Sequence, residues 1–62
     1  MKKYFMIVEK VKDVDRIEPV LKFKGIRFER LGPTKYHIWT TERTAIELNE
    51  TFEYVSVIRT EL

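Results

Sequence analysis

The residues best suited to chemistry lie together in Arg27-Phe28-Glu29-Arg30-Leu31-Gly32-Pro33-Thr34-Lys35-Tyr36-His37-Ile38-Trp39, which holds the only Trp and the only His of the chain. Basic side chains hold phosphates, and aromatic rings on an open surface stack unpaired bases. Other chemistries lack their parts. One His without any Cys makes no zinc cage. Nucleophilic catalysis would need Ser56 or a Thr beside His37 and an orienting carboxylate. Ser56 stands between Val55 and Val57, where a hydroxyl is ordinarily structural. No carboxylate sits in an apolar run that would raise its pKa. Gly25 and Gly32 are the only glycines and form no phosphate loop. The expectation is a protein with no catalytic residue, metal or cofactor.

Size limits what can position these groups. Sixty-two residues make a single domain, 1–62, whose core is marginal. Without Cys there is no disulfide staple, which leaves good packing, self-association or a bound partner to stabilise it. A hydrophobic fraction of 44% fits a folded chain. No apolar run reaches the roughly 20 residues that span a bilayer. The start, Met1-Lys2-Lys3-Tyr4-Phe5-Met6-Ile7-Val8, is broken by Glu9 and Lys10 and offers no small-residue cleavage site, so a cytoplasmic protein without a membrane partner is expected. On that basis Asn49-Glu50-Thr51 is a chance glycosylation match. Richness in Lys and Glu with no Gln and one Asn leans towards a thermophile-like composition.

Charge is uneven. Residues 1–40 carry ten Lys/Arg against five Asp/Glu, whereas residues 41–62 carry two against five. Such asymmetry suits a basic face for an anionic partner, or two patches that attract each other between subunits.

The elements follow from hydrophobic period. Residues 3–9 are apolar on both alternating sides, the pattern of a central strand covered on both faces. Val14, Ile17 and Leu21, widened by Val20, make the apolar stripe of a helix capped by Asp13 or Asp15. Pro19 means that this helix either starts near Asp15 or bends at Pro19. Gly25 ends it. Residues 26–31 and 35–40 form a hairpin. Thr41 caps a second helix with Ala45, Leu48 and Phe52, and Ile46 beside them, facing inward. Residues 54–60 return as a strand. The order β-α-β-β-α-β specifies an α+β fold of the ferredoxin-like, split-βαβ kind. It has a four-stranded antiparallel sheet, both helices on one face, and strands 3–9 and 35–40 at its centre.

The hairpin has two possible registers. An even loop puts Ile26, Phe28, His37 and Trp39 on one face and buries Trp39. The three-residue loop Gly32-Pro33-Thr34 puts Ile26, Phe28, Tyr36 and Ile38 on the apolar face and Arg27, Lys35, His37 and Trp39 on the other. The odd loop separates apolar from basic side chains and is the expected one, although Gly32 stands first rather than at the usual left-handed position. The helices then cover Phe5, Ile7, Val55 and Val57 with Ile26, Phe28, Tyr36 and Ile38. The open face carries Tyr4, Met6, Val8, Tyr54, Ile58 and Trp39, ringed by Arg27, Lys35 and His37. That is too much apolar surface for a monomer to leave wet.

Two functions follow. In the first, a non-enzymatic nucleic-acid-binding module stacks bases on Trp39, Tyr4 and Tyr54 and holds the backbone with Arg27, Arg30, Lys35 and His37. RNA-recognition motifs share the element order, but their glycine-aromatic signature is absent here. In the second, a homodimeric inhibitor or adaptor domain buries Met6, Val8, Trp39, Tyr54 and Ile58 against a second copy or another protein. The first is favoured, because the basic bias coincides with the aromatic hairpin.

Overall fold

The computed structural model describes residues 1–59. Along the chain it forms β1 (Lys2–Val8), α1 (Val11–Phe23), β2 (Arg27–Arg30), β3 (Lys35–Thr40), α2 (Glu42–Thr51) and β4 (Val55–Arg59). The four strands make one antiparallel sheet in the order β2-β3-β1-β4, with β1 and β3 central as their sequences anticipate. Thr60, expected to close the last strand, lies outside the described residues. Among those described, no helix is long and apolar enough to cross a membrane.

The helix ends show why the elements stop where they do. α1 begins at Val11, ahead of Asp15, and its N-cap Lys10 makes no side-chain cap. Asp13 therefore sits in the first turn, buried, with its carboxylate 3.4 Å from Arg16. The helix runs on through Pro19, whose missing N–H leaves the Asp15 carbonyl without its usual donor. At the other end Gly25 takes φ +70. Its N–H reaches the Lys22 carbonyl at 3.1 Å, and the Ile26 N–H reaches Leu21 at 2.9 Å. These two bonds, with Ile26 packed near Leu21 in the core, are a Schellman ending. In α2 the Thr41 hydroxyl accepts the Thr44 N–H at 3.2 Å, the cap that the sequence called for. Ile46, expected to be buried beside Ala45 and Leu48, is 52% exposed.

The hairpin adopts the odd register. Arg27, Phe28, Glu29 and Arg30 stand opposite Trp39, Ile38, His37 and Tyr36. The Leu31 N–H bonds to the Lys35 carbonyl at 2.8 Å, closing the loop at Gly32-Pro33-Thr34. That loop contains no residue with positive φ, so Gly32 standing first is no obstacle.

The parity of β1 is the reverse of the expectation. Tyr4, Met6 and Val8, assigned to the open face, are buried at 4%, 0% and 0% exposure, in one core with Tyr36, Ile38 and Val55 of the sheet. Val14, Ile17 and Leu21 of α1 and Ala45 and Leu48 of α2 complete the same core, which places both helices on this face. Phe5 and Ile7, expected beneath the helices, lie on the opposite face. The cause is pairing. Cross-strand partners share a face, and Tyr4 and Met6 stand opposite Ile38 and Tyr36. β1 is apolar on both sides, so it takes the parity imposed by β3.

The two sheet edges differ. β4 directs the N–H and C=O of Val57 away from β1, and the Asn49 amide takes both, accepting at 2.8 Å and donating at 3.0 Å. The Val55 N–H, also outward, bonds to the Phe52 carbonyl at 3.2 Å. The middle of this edge is therefore capped against a further strand.

Candidate nucleic-acid interface

Three cross-strand rows define the uncovered face. Arg27, Trp39 and Lys3 make the first; Glu29, His37, Phe5 and Ile58 the second; Lys35, Ile7 and Ser56 the third. The alternation that puts Tyr36 and Ile38 in the core turns Lys35, His37 and Trp39 outward from the same strand. His37 and Trp39 are half-buried, as are Phe5 and Ile7, whereas Ile58 is 54% exposed.

The aromatic groups form a connected ladder. The Phe5 and His37 rings meet edge to face at 6.1 Å, and His37 meets Trp39 in the same manner at 6.3 Å. Cations flank the end of the ladder. The Arg27 guanidinium lies 4.7 Å from the Trp39 ring centroid, and the Lys3 ammonium lies 5.8 Å from it. They come from strands on either side of β3, so Trp39 stands between two positive charges. Among the described residues, Glu29 is the sole carboxylate on the strand positions of this face.

The sequence-predicted site divides in two. Arg27, Lys35, His37 and Trp39 lie together on the open face, and Ile58 joins them. Tyr4, Met6 and Val8 belong to the core, for the reason of parity given above. Tyr54 precedes β4 and packs partly against the core, with its ring 5.8 Å from Phe52 and 4.8 Å from the Arg16 guanidinium. It faces α1 rather than the ladder. Arg30 stands opposite core-facing Tyr36, and its guanidinium donates to the carbonyls of Gly32 and Pro33 at 3.1 and 2.9 Å. Arg30 braces the turn instead of facing outward. The apolar patch proposed for a face-to-face dimer thus loses Met6, Val8 and Tyr54 and keeps Trp39 and Ile58.

Phe5 and Lys3 were not foreseen as site residues. β1 alone carried no signal for them: Lys2 and Lys10 bracket the Tyr4-Met6-Val8 side just as Lys3 and Glu9 bracket that of Phe5 and Ile7.

Beneath the face, Tyr36 ties the sheet to α1. The residue is fully buried, its hydroxyl donates a 2.6 Å hydrogen bond to the Glu18 carboxylate, and Arg30 lies 3.9 Å from the same carboxylate. Burial first, and then the bond to Glu18, hold the Tyr36 phenol well above the usual tyrosine range. Lys24 and Glu47 join the end of α1 to α2 at 2.7 Å, and that hydrogen bond lowers the Glu47 carboxyl below its ordinary value. Next to Trp39 opens a shallow cavity of about 320 Å³, lined in part by Gly25, Ile26, Thr40 and Thr44. No group of His, Cys, Asp and Glu side chains that could hold a metal occurs among the described residues.

No protein family, curated protein or solved structure matches this chain.

Proposed function

We propose that this chain is a cytoplasmic, non-enzymatic module of the ferredoxin-like, split-βαβ kind that binds single-stranded nucleic acid on its open sheet face. The observation that supports this is the Phe5-His37-Trp39 ladder at the centre of an uncovered face, with Arg27 and Lys35 beside it. Four-stranded sheets that stack bases on exposed aromatics while basic side chains hold the backbone are a recurring solution to single-strand recognition. In this reading Trp39 and Phe5 are the stacking platforms and His37 the step between them. Arg27 does two things at once. It supplies a phosphate contact, and its planar guanidinium over the indole widens the surface on which a base can lie. Lys35 holds the backbone at the other end of the strand. Tyr4, Tyr54 and Arg30 take no part.

The test is binding of labelled oligo-dT and oligo-U, followed by fluorescence anisotropy over a range of salt concentrations. Neutralising two or three phosphates gives log K falling with log salt at a slope of about −1.5 to −2 for a single strand. An oligonucleotide that does not bind even at low salt and high protein concentration overturns the proposal.

A further inference from the structure

The two edges of the sheet are not equivalent, and the difference points to a partner. On β4 the outward N–H and C=O of Val57 are taken by Asn49 and the outward N–H of Val55 by the Phe52 carbonyl. On β2, the Leu31 bond to Lys35 sets the alternation, so Arg27 and Glu29 turn their backbone groups inward to β3, and Phe28 and Arg30 turn theirs outward. Among the described residues no cap comparable to Asn49 covers them. The Arg30 side chain goes to the turn carbonyls and leaves its own edge open.

We propose that this edge pairs antiparallel with the β2 edge of a second copy, about a two-fold axis at Phe28, to give one continuous eight-stranded sheet. A two-fold axis perpendicular to the sheet keeps both open faces on the same side and allows only registers in which residues of equal parity meet. Centred on Phe28, the outward groups of the two Phe28 residues bond to each other, and the Arg30 N–H meets the partner's Ile26 carbonyl. Arg27 then lies directly opposite the partner's Glu29, and Glu29 opposite the partner's Arg27. Both contacts fall in the closely spaced pairs where cross-strand side chains interact most strongly. The neighbouring registers are penalised. Centring on Arg27 puts Arg27 against its own copy, and centring on Glu29 puts two carboxylates together. The sequence Arg27-Phe28-Glu29 is thus self-complementary in one register and self-repelling in those on either side. This proposal stands independently of nucleic-acid binding.

The experiment is sedimentation velocity on the intact chain over a concentration series, with circular dichroism confirming that each variant is folded. The expected result is a concentration-dependent dimer. Arg27→Glu and Glu29→Arg should each raise the dimer dissociation constant about tenfold, since each puts like charges together at two symmetric contacts. The double exchange Arg27→Glu with Glu29→Arg should return it to within about threefold of the parent. Ile58→Lys, on the open face, should leave it unchanged. A monomer at every concentration overturns the proposal. So does a dimer that ignores the charge exchange, and one lost in Ile58→Lys would place the contact on the open face.

Discussion

Replacing Trp39 by Ala separates what this side chain does for the fold from what it does for a ligand. Trp39 lies on the open face, with Arg27 4.7 Å and Lys3 5.8 Å from its ring and an edge-to-face contact to His37 at 6.3 Å. Exposed cation–π contacts are each worth about 0.5–1 kcal/mol, and an aromatic pair contributes about as much. The three contacts together are worth about 1.5–3 kcal/mol. A 62-residue chain has about 3–9 kcal/mol of stability in all, so the variant stays folded. Ile38→Ala, one residue away in the core, should cost about 2–5 kcal/mol by leaving a cavity. Binding behaves the other way round. Removing one stacking platform costs about 1–3 kcal/mol, which raises the Kd for oligo-dT or oligo-U about 5- to 150-fold. Urea unfolding gives the first quantity and anisotropy the second. An affinity within twofold of the parent in a folded Trp39→Ala refutes the stacking role. A stability loss equal to that of Ile38→Ala refutes the placement of Trp39 on the open face.

Four further outcomes follow from the packing. Tyr4→Phe should be neutral or slightly stabilising in urea unfolding, because the buried Tyr4 hydroxyl has no hydrogen-bond partner among the described residues. Gly25→Ala should cost about 1 kcal/mol through backbone strain alone, since φ is +70 while a Cβ there would meet nothing within 4 Å. Asn49→Ala should cost about 1 kcal/mol and increase light scattering on concentration, because it uncovers the Val57 edge. The raised pKa of Tyr36 makes the fold sensitive to alkali: its contribution is full below about pH 10, where the unfolded phenol titrates, and is lost as pH rises above it. In Tyr36→Phe the decline in stability above pH 10 should flatten, and an unchanged pH profile would show that Tyr36 is not its source.

Much of the architecture was legible because local chemistry and tertiary packing agree. Thr41 could cap only a following helix, and Gly25 supplied the left-handed residue that the end of α1 needs. In β3, Lys35, His37 and Trp39 alternate with Tyr36 and Ile38, so one face had to be the core face. The start of α1 was less legible. Asp13 and Asp15 are good capping residues, yet burial of Val14 and Ile17 begins the helix at Val11, behind an N-cap that makes no side-chain bond. Local preference yielded there to packing. Ile46 shows the same limit: it borders the apolar stripe of α2, yet it is left exposed.

β1 carries the larger lesson, since the composition of the candidate site turns on it. A central strand can be apolar on both sides, and then its own pattern does not say which side the helices cover. The information lies in the partner: once β3 has committed Tyr36 and Ile38 to the core, its register with β1 commits Tyr4 and Met6 as well. Reversing one strand puts Phe5, Ile7 and Lys3 on the open face in place of Tyr4, Met6 and Val8. One ring replaces another, and Met6 and Val8 give way to Ile7 and a cation. What remains is too polar to resemble half of a buried core and too aromatic to need only water. The patch proposed for face-to-face self-association loses Met6, Val8 and Tyr54, whereas stacking on Phe5 and Trp39 and backbone pairing along β2 use different groups, with Arg27 common to both. The backbone of β2 points in the plane of the sheet and the rings point out of it, so one protein can use both at once.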